Sequence, residues 1–179
     1  MKKFISKFLP LLLLSSSVSA LEYGVGPLNE NDTIYFNSSA KLEFIQGKTQ
    51  HINGRFSFDP DNPDSPVDAK VRVDLRTLET GIAKRDEHMR DNHLHTVEFP
   101  YAYFELDSIQ PPVLLRVLDS VYTTKASGKF YICGNFRNVT TALALTRNRL
   151  SNGSEEIIVR SKFSINLDDF KISRPKALF

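Results

Sequence analysis

From Thr33 onward the apolar positions recur with a period of two far more often than with the period of a helix. Phe36 and then residues 42–44 alternate with polar neighbours, and His51-Ile52-Asn53-Gly54-Arg55-Phe56-Ser57-Phe58 follows a break at Gly47. A cluster of proline and Asx residues at 59–66 marks a turn. Beyond it Val71, Val73 and Leu75 share one face while Arg72, Asp74 and Arg76 share the other, as a strand with one buried face requires. Residues 80–95 break that rhythm. Thr80 is placed to cap a short helix over 82–90, and Asp86 precedes Arg90 by one helical turn, a favourable ion-pair spacing. Strand patterning resumes at Tyr101-Ala102-Tyr103-Phe104 and continues, after Pro111-Pro112, over 113–122, 130–133 and 139–145. The last run places Ile157, Val159, Ser161, Phe163, Ile165 and Leu167 on one face and Arg160, Lys162, Ser164 and Asn166 on the other.

This pattern predicts about eight strands, one short helical insertion and no internal repeat, linker or second domain, hence an antiparallel all-β fold. A sandwich and a barrel both satisfy it. A closed barrel removes exposed edges, and at about eight strands its interior has room for one small ligand.

The N-terminus changes the picture. Lys2, Lys3 and Lys7 precede an apolar run over 8–14, and Val18-Ser19-Ala20 fits the small-residue rule for leader cleavage. The run is shorter than the roughly 20 residues that cross a bilayer, and Pro10 interrupts it. Residues 1–20 are therefore expected to be a signal peptide cleaved near Ala20. Residue 21 is Leu rather than a lipid-bearing Cys, so no stable membrane anchor is expected and 21–179 forms the domain. Of 23 basic and 21 acidic residues the leader holds three lysines and no acid, so the remainder carries a net charge of −1. That balance gives no footprint for nucleic acid. The one cysteine, Cys133, excludes an intrachain disulfide and fits a buried strand position.

Residues 77–104 carry a recognisable order. Thr77-Leu78-Glu79-Thr80-Gly81, then Lys84-Arg85-Asp86-Glu87-His88-Met89-Arg90, then Val97-Glu98, Pro100 and Phe104 resemble the signature of the YceI-like family. His51-Ile52-Asn53-Gly54-Arg55-Phe56, the Gly128, Gly134 and Val139-Thr140 positions, and the closing stretch 163–172 resemble the family as well. The resemblance implies an eight-stranded antiparallel, lipocalin-like barrel, exported to the bacterial periplasm or secreted. It further implies a polyisoprenoid or other long-chain lipid held in an apolar interior, and a possible homodimer. Two departures stand out: Asn135-Phe136-Arg137-Asn138 stretches the turn before Val139, and the usual Arg and Gly around Asp168 are missing. The chain also has no Trp, so its likeness to true lipocalins is one of architecture.

The candidate lining consists of the apolar positions expected to face inward: Phe44, Phe56, Phe58, Val71, Val73, Leu75, Phe104, Phe163 and Ile165. Plain core packing accounts for any one of them equally well. Met89, Leu94 and Phe99 in the insertion are placed to cover the barrel mouth, methionine being adaptable to irregular ligands. Arg85, His88 and Arg90 suit a polar or phosphorylated head group, while an ion-pair network with Asp86 that fixes the insertion to the rim is the better account of the charges. His88, His93 and His95 raise a metal hydrolase as a rival, but they lack the His-Glu-x-x-His spacing that sets two ligands on one helix face. With no Gly-x-Ser-x-Gly elbow, phosphate-cradling loop or Cys-x-x-Cys, the chain is expected to be a binding protein without catalysis, metal or cofactor. The remaining alternative is a solid barrel whose surface docks another envelope protein.

Overall fold

The computed structural model describes residues 21–25, 32–40, 43–59, 61–62 and 64–174; residues 1–20, expected to be a signal peptide, and 26–31, 41–42, 60, 63 and 175–179 lie outside them. The strands are β1 (Leu21–Val25), β2 (Ile34–Ala40), β3 (Glu43–Thr49), β4 (Ile52–Phe58), β5 (Asp68–Asp74), β6 (Tyr101–Gln110), β7 (Val121–Ile132), β8 (Asn135–Arg149) and β9 (Glu155–Lys162). Seven of them form one antiparallel sheet in the order β1-β4-β5-β6-β7-β8-β9, which curls into a nearly closed barrel. The β2–β3 hairpin forms a second sheet, tied to the rest by a backbone bridge from Lys48 to Glu79 and a Thr49–Thr77 hydroxyl contact of 2.6 Å.

The long β7–β8 hairpin turns through Cys133 and Gly134, whose φ angles of 49° and 70° give the left-handed turn that matches strand twist. Asn135 therefore pairs directly with Ile132, and residues 135–138, expected to lengthen the turn, belong to the ladder. Residues 113–120 depart from expectation in the other direction. They form no strand; Val113 and Leu115 are instead buried beneath the barrel, at 6% and 0% exposure. An extended plug alternates its faces just as a strand does, so periodicity alone does not separate them. The closing run also stops early: β9 ends at Lys162, and Asn166 accepts from the Asp168 amide to start a 3-10 turn, Leu167–Phe170.

Two apolar cores result. The lower one gathers Phe56, Phe58, Val113, Leu115, Leu143 and Leu145; the upper one gathers Leu75, Leu78, Leu94, Ala102, Ile132 and Phe170. Each large side chain buried this way contributes about 1.5–3 kcal/mol. The insertion belongs to the upper core. Helix α1 (Ala83–His88) runs on into a π-helical turn, Met89–Leu94, which drives Leu94 into that core. Cys133 sits beneath it, its thiol donating to the Leu94 carbonyl at 3.2 Å, and burial pushes the thiol pKa up to about 11.

Two outcomes follow from this packing. A Cβ at Gly128 would collide with the Glu105 carbonyl and the Phe104 ring, whereas at Gly24 nothing lies within 4 Å. Gly128→Ala is expected to lower stability by about 1–3 kcal/mol in urea unfolding, with Gly24→Ala close to neutral; equal midpoints would refute the close approach. Cys133 of the folded protein is expected to resist alkylation at pH 8, because so few of its thiols are ionised and Leu94 covers them. Alkylation as fast as in the urea-unfolded chain would show that the insertion does not cover the turn.

Candidate functional site: the barrel interior

Which side chains face inward follows from the register. Residues directly opposite on neighbouring strands project to the same side of a sheet. The pairs Gly54↔Val71, Val71↔Phe104, Phe104↔Phe130 and Phe130↔Arg137 thus form one inward row that crosses β4 to β8. Ile52↔Val73↔Ala102 forms the next row. Val71, Val73 and Phe104 face inward yet remain only half-buried, and neither core takes them in. An inward-facing side chain keeps accessible surface only where open space lies in front of it. An apolar stretch of the inner wall thus stays partly accessible between the two cores, with the Phe104 ring close against Gly128.

The sheet also has two unpaired edges. β1 and β9 are the two edges of the seven-stranded sheet. On β9, Val159 lies opposite Leu145, which is fully buried, yet Val159 is 46% exposed; beyond the strand Phe163 is 38% exposed. The inner face of β9 is thus open where a barrel wall would normally be covered. Thr141 supplies the polar atoms nearby, its hydroxyl lying 2.8 Å from Ser161 Oγ and 3.0 Å from the Lys162 carbonyl.

The lower end is sealed. Arg147 donates to Glu155 at 2.8 Å, to Asp61 at 3.1 Å and to the Leu115 carbonyl at 3.2 Å. Hydrogen bonds from Arg147, and then from Arg149, hold the Glu155 carboxyl below the usual carboxylate range. Tyr23 reaches in from β1 with its ring 5.6 Å from Phe58; its buried hydroxyl has no partner among the described residues, and burial raises its pKa.

The residues expected to line a ligand therefore divide. Val71, Val73 and Phe104 face the partly accessible stretch. Phe56 and Phe58 form its floor within the lower core, and Leu75 and Leu94 its ceiling within the upper core, with Met89, Phe99 and Ile165 packed partly buried against that ceiling. Phe163 stands at the rim, edge-on to Phe130 at 5.2 Å. Phe44 must be corrected. Phe36 pairs with Gly47 and packs on the upper core, so Ile45, Gly47 and Thr49 share the inner face of β3. Phe44 falls on the outer face and is 66% exposed. A shift of one residue along a strand exchanges its faces, and nothing in the short run 42–44 fixed which face was which.

The charged residues of the insertion hold it in place. Asp86, buried, accepts from the Thr80 amide at 2.8 Å and from the Thr80 hydroxyl. Arg85 donates to the Thr80 hydroxyl and carbonyl, and Arg90 to the Leu78 carbonyl, so both guanidiniums face the rim rather than a ligand. His88 and His93 meet edge to face, His93 turns Nδ1 to Ser173, and His95 is an exposed residue with left-handed backbone. Among the described residues no three metal-ligating side chains converge. Patterning missed two cations on the inner face of β8, Arg137, whose segment read as a turn, and Arg147.

Relatives agree with this architecture. The YceI-like domain signature matches residues 28–178. A UPF0312 protein of Pseudomonas fluorescens is 31% identical over 104 residues, covering 56% of this chain and 51% of that protein. Another from Photorhabdus laumondii is 29% identical over 96 residues, covering 52% and 50%. The chain spans about half the length of these curated relatives. Among solved structures, the Campylobacter jejuni YCEI protein superposes with a TM-score of 0.61 at 17% identity, covering 75% of each chain. BcnA of Burkholderia cenocepacia gives 0.61 at 14% identity over 80% of this chain and 82% of that one. A polyisoprenoid binding domain from Saccharophagus degradans gives 0.59 at 18% identity over 78% and 75%. At such identities the structural likeness establishes the fold, and the domain signature, running almost the full length of that fold, establishes kinship: the chain belongs to the YceI-like family.

Proposed function

We propose that the protein is exported by its N-terminal leader and carries a polyisoprenoid or similar long-chain lipid, without catalysis, inside the barrel. The observation that carries this reading is the partly accessible apolar stretch: Val71, Val73 and Phe104 face inward, stay half-buried and join neither core. A hydrocarbon chain laid there leaves water at about 0.8 kcal/mol per methylene. Loss of freedom on binding offsets part of that gain. The seam beside β9 gives such a chain a sideways route that leaves the fastened insertion shut. The Saccharophagus degradans domain that shares the fold is described as polyisoprenoid binding, which supports the same ligand class here. On this reading the protein works in the periplasm, or outside the cell, as a carrier or sensor.

A second reading has one observation in its favour. Outside the barrel, Arg72, Tyr103, Tyr131 and Phe136 form a row across β5 to β8, with Phe136 50% exposed and its ring 5.3 Å from Tyr131. Aromatic and arginine side chains are enriched where proteins dock. Such a surface suits another envelope protein or a second copy in a homodimer.

Val71→Trp is expected to fill the stretch. Lipid uptake, measured by native mass spectrometry after incubation with a long-chain prenol, should fall at least about tenfold with the barrel still folded, the effect of blocking most of the methylene contacts. Undiminished uptake by a folded Val71→Trp protein would place the lipid elsewhere.

A further inference from the structure

We propose that the outer face of β5 to β8, at the upper end beside the β7–β8 turn, docks on an anionic lipid bilayer. The proposal concerns the outside of the barrel and stands whatever the interior holds. Register puts Arg72, Tyr103, Tyr131 and Phe136 in one outward row, with Lys129 two positions from Tyr131 on the same face of β7. Where this row meets the loop before β6 there is a groove of about 270 Å³, lined by Glu98, Phe99, Tyr101, Tyr103, Tyr131 and Gly134. Apolar side chains stand up from its margins. Val97 is 95% exposed, more than any other large apolar side chain among the described residues. Its turn is tied down, since the Glu98 and Phe99 amides donate to the His95 carbonyl and Thr96 is buried, so Val97 is held outward. Phe136, just past the β7–β8 turn, is 50% exposed with its ring 5.3 Å from Tyr131.

Charge selects the occupant. Arg76 is taken by Asp74 at 2.7 Å, and Lys70 by Glu105. Arg72 and Lys129 have no carboxylate of the described residues within ion-pair distance, and the Arg72 guanidinium lies 4.7 Å from the centre of the Tyr101 ring. Against these two cations the groove sets one unpaired acid, Glu98, so the face keeps a positive surplus. A second copy seated here about a two-fold axis would press that surplus against its own image. An anionic bilayer answers both features at once. Its surface potential draws the unpaired cations, and its acyl boundary takes Val97 and Phe136 out of water. The tyrosines suit the layer between, where the ring is apolar and the hydroxyl stays wet.

The test is co-sedimentation of the purified protein with vesicles at low ionic strength. Equimolar phosphatidylglycerol and phosphatidylcholine is set against phosphatidylcholine alone. Wild type is expected to bind the anionic vesicles at least about tenfold more tightly, the scale of two cations meeting a negative surface, and added salt should weaken that preference. Replacing both cations, Arg72→Gln with Lys129→Gln, should bring the ratio close to one. Replacing both apolar tips, Val97→Ser with Phe136→Ser, should weaken binding to the anionic vesicles at least about tenfold. All four side chains lie outside the barrel interior, so both double variants should keep the wild-type urea midpoint and, in native mass spectrometry, wild-type uptake of a long-chain prenol. Loss of prenol uptake with vesicle binding intact would count against the carrier reading alone. A wild type that ignores anionic vesicles, or vesicle binding that survives both double variants, overturns the docking proposal. So does a dimer in sedimentation equilibrium that Val97→Ser with Phe136→Ser dissociates, which would give this face to a second copy.

Discussion

Every part of this structure depends on the two-residue alternation of strands locked into antiparallel register. Once β4 to β8 are paired, the side of each side chain is fixed, and the interior must be whatever the inward residues supply. Here they supply large apolar groups at the two ends, and glycines and valines beside the Phe104 and Phe130 rings between. Phe58, Leu115 and Leu145 close the lower end; Leu75, Leu94 and Phe170 close the upper. The middle receives Gly54, Val71 and Gly128, with Phe104 folded flat over the last of these. The middle row therefore mixes small residues with the Phe104 and Phe130 rings, and Val71, Val73 and Phe104 keep part of their surface accessible.

The edges carry the second consequence. A sheet of seven strands that does not pair β1 with β9 leaves a seam, and exposed seams invite unwanted pairing. The chain manages the lower part of the seam with Tyr23 and Ile157, both packed on the lower core, and with the Arg147–Glu155–Asp61 cluster beneath them. Higher up, Val159 and Phe163 are left open. The insertion is fastened by Asp86, Arg85 and Arg90, and its Leu94 is buried.

The sequence made much of this legible. The alternation at 71–76 and 157–161 identified inner faces correctly, because each run is long and its two faces differ in polarity. The all-β class and the short helix of the insertion were equally readable. The failures have physical causes. Residues 113–120 alternate because they plug the barrel, not because they ladder. Phe44 sits in a run too short to set its own phase. Strand β1 is only five residues long, too short for its alternation to stand out. Arg137 escaped notice because Asn135-Phe136-Arg137-Asn138 looks like loop composition, while the two-residue turn at Cys133 and Gly134 needs none of it. The partial accessibility of Val71, Val73 and Phe104 was not legible at all, since it depends on which residues meet across the barrel.

Whether the interior holds a hydrocarbon chain is read most directly by native mass spectrometry of the purified protein before and after organic extraction. A carrier should show a hydrophobic adduct at one copy per chain, removed by the solvent and restored by adding a long-chain prenyl or fatty-acyl compound. A protein that arrives empty and takes up neither compound at any concentration would contradict it.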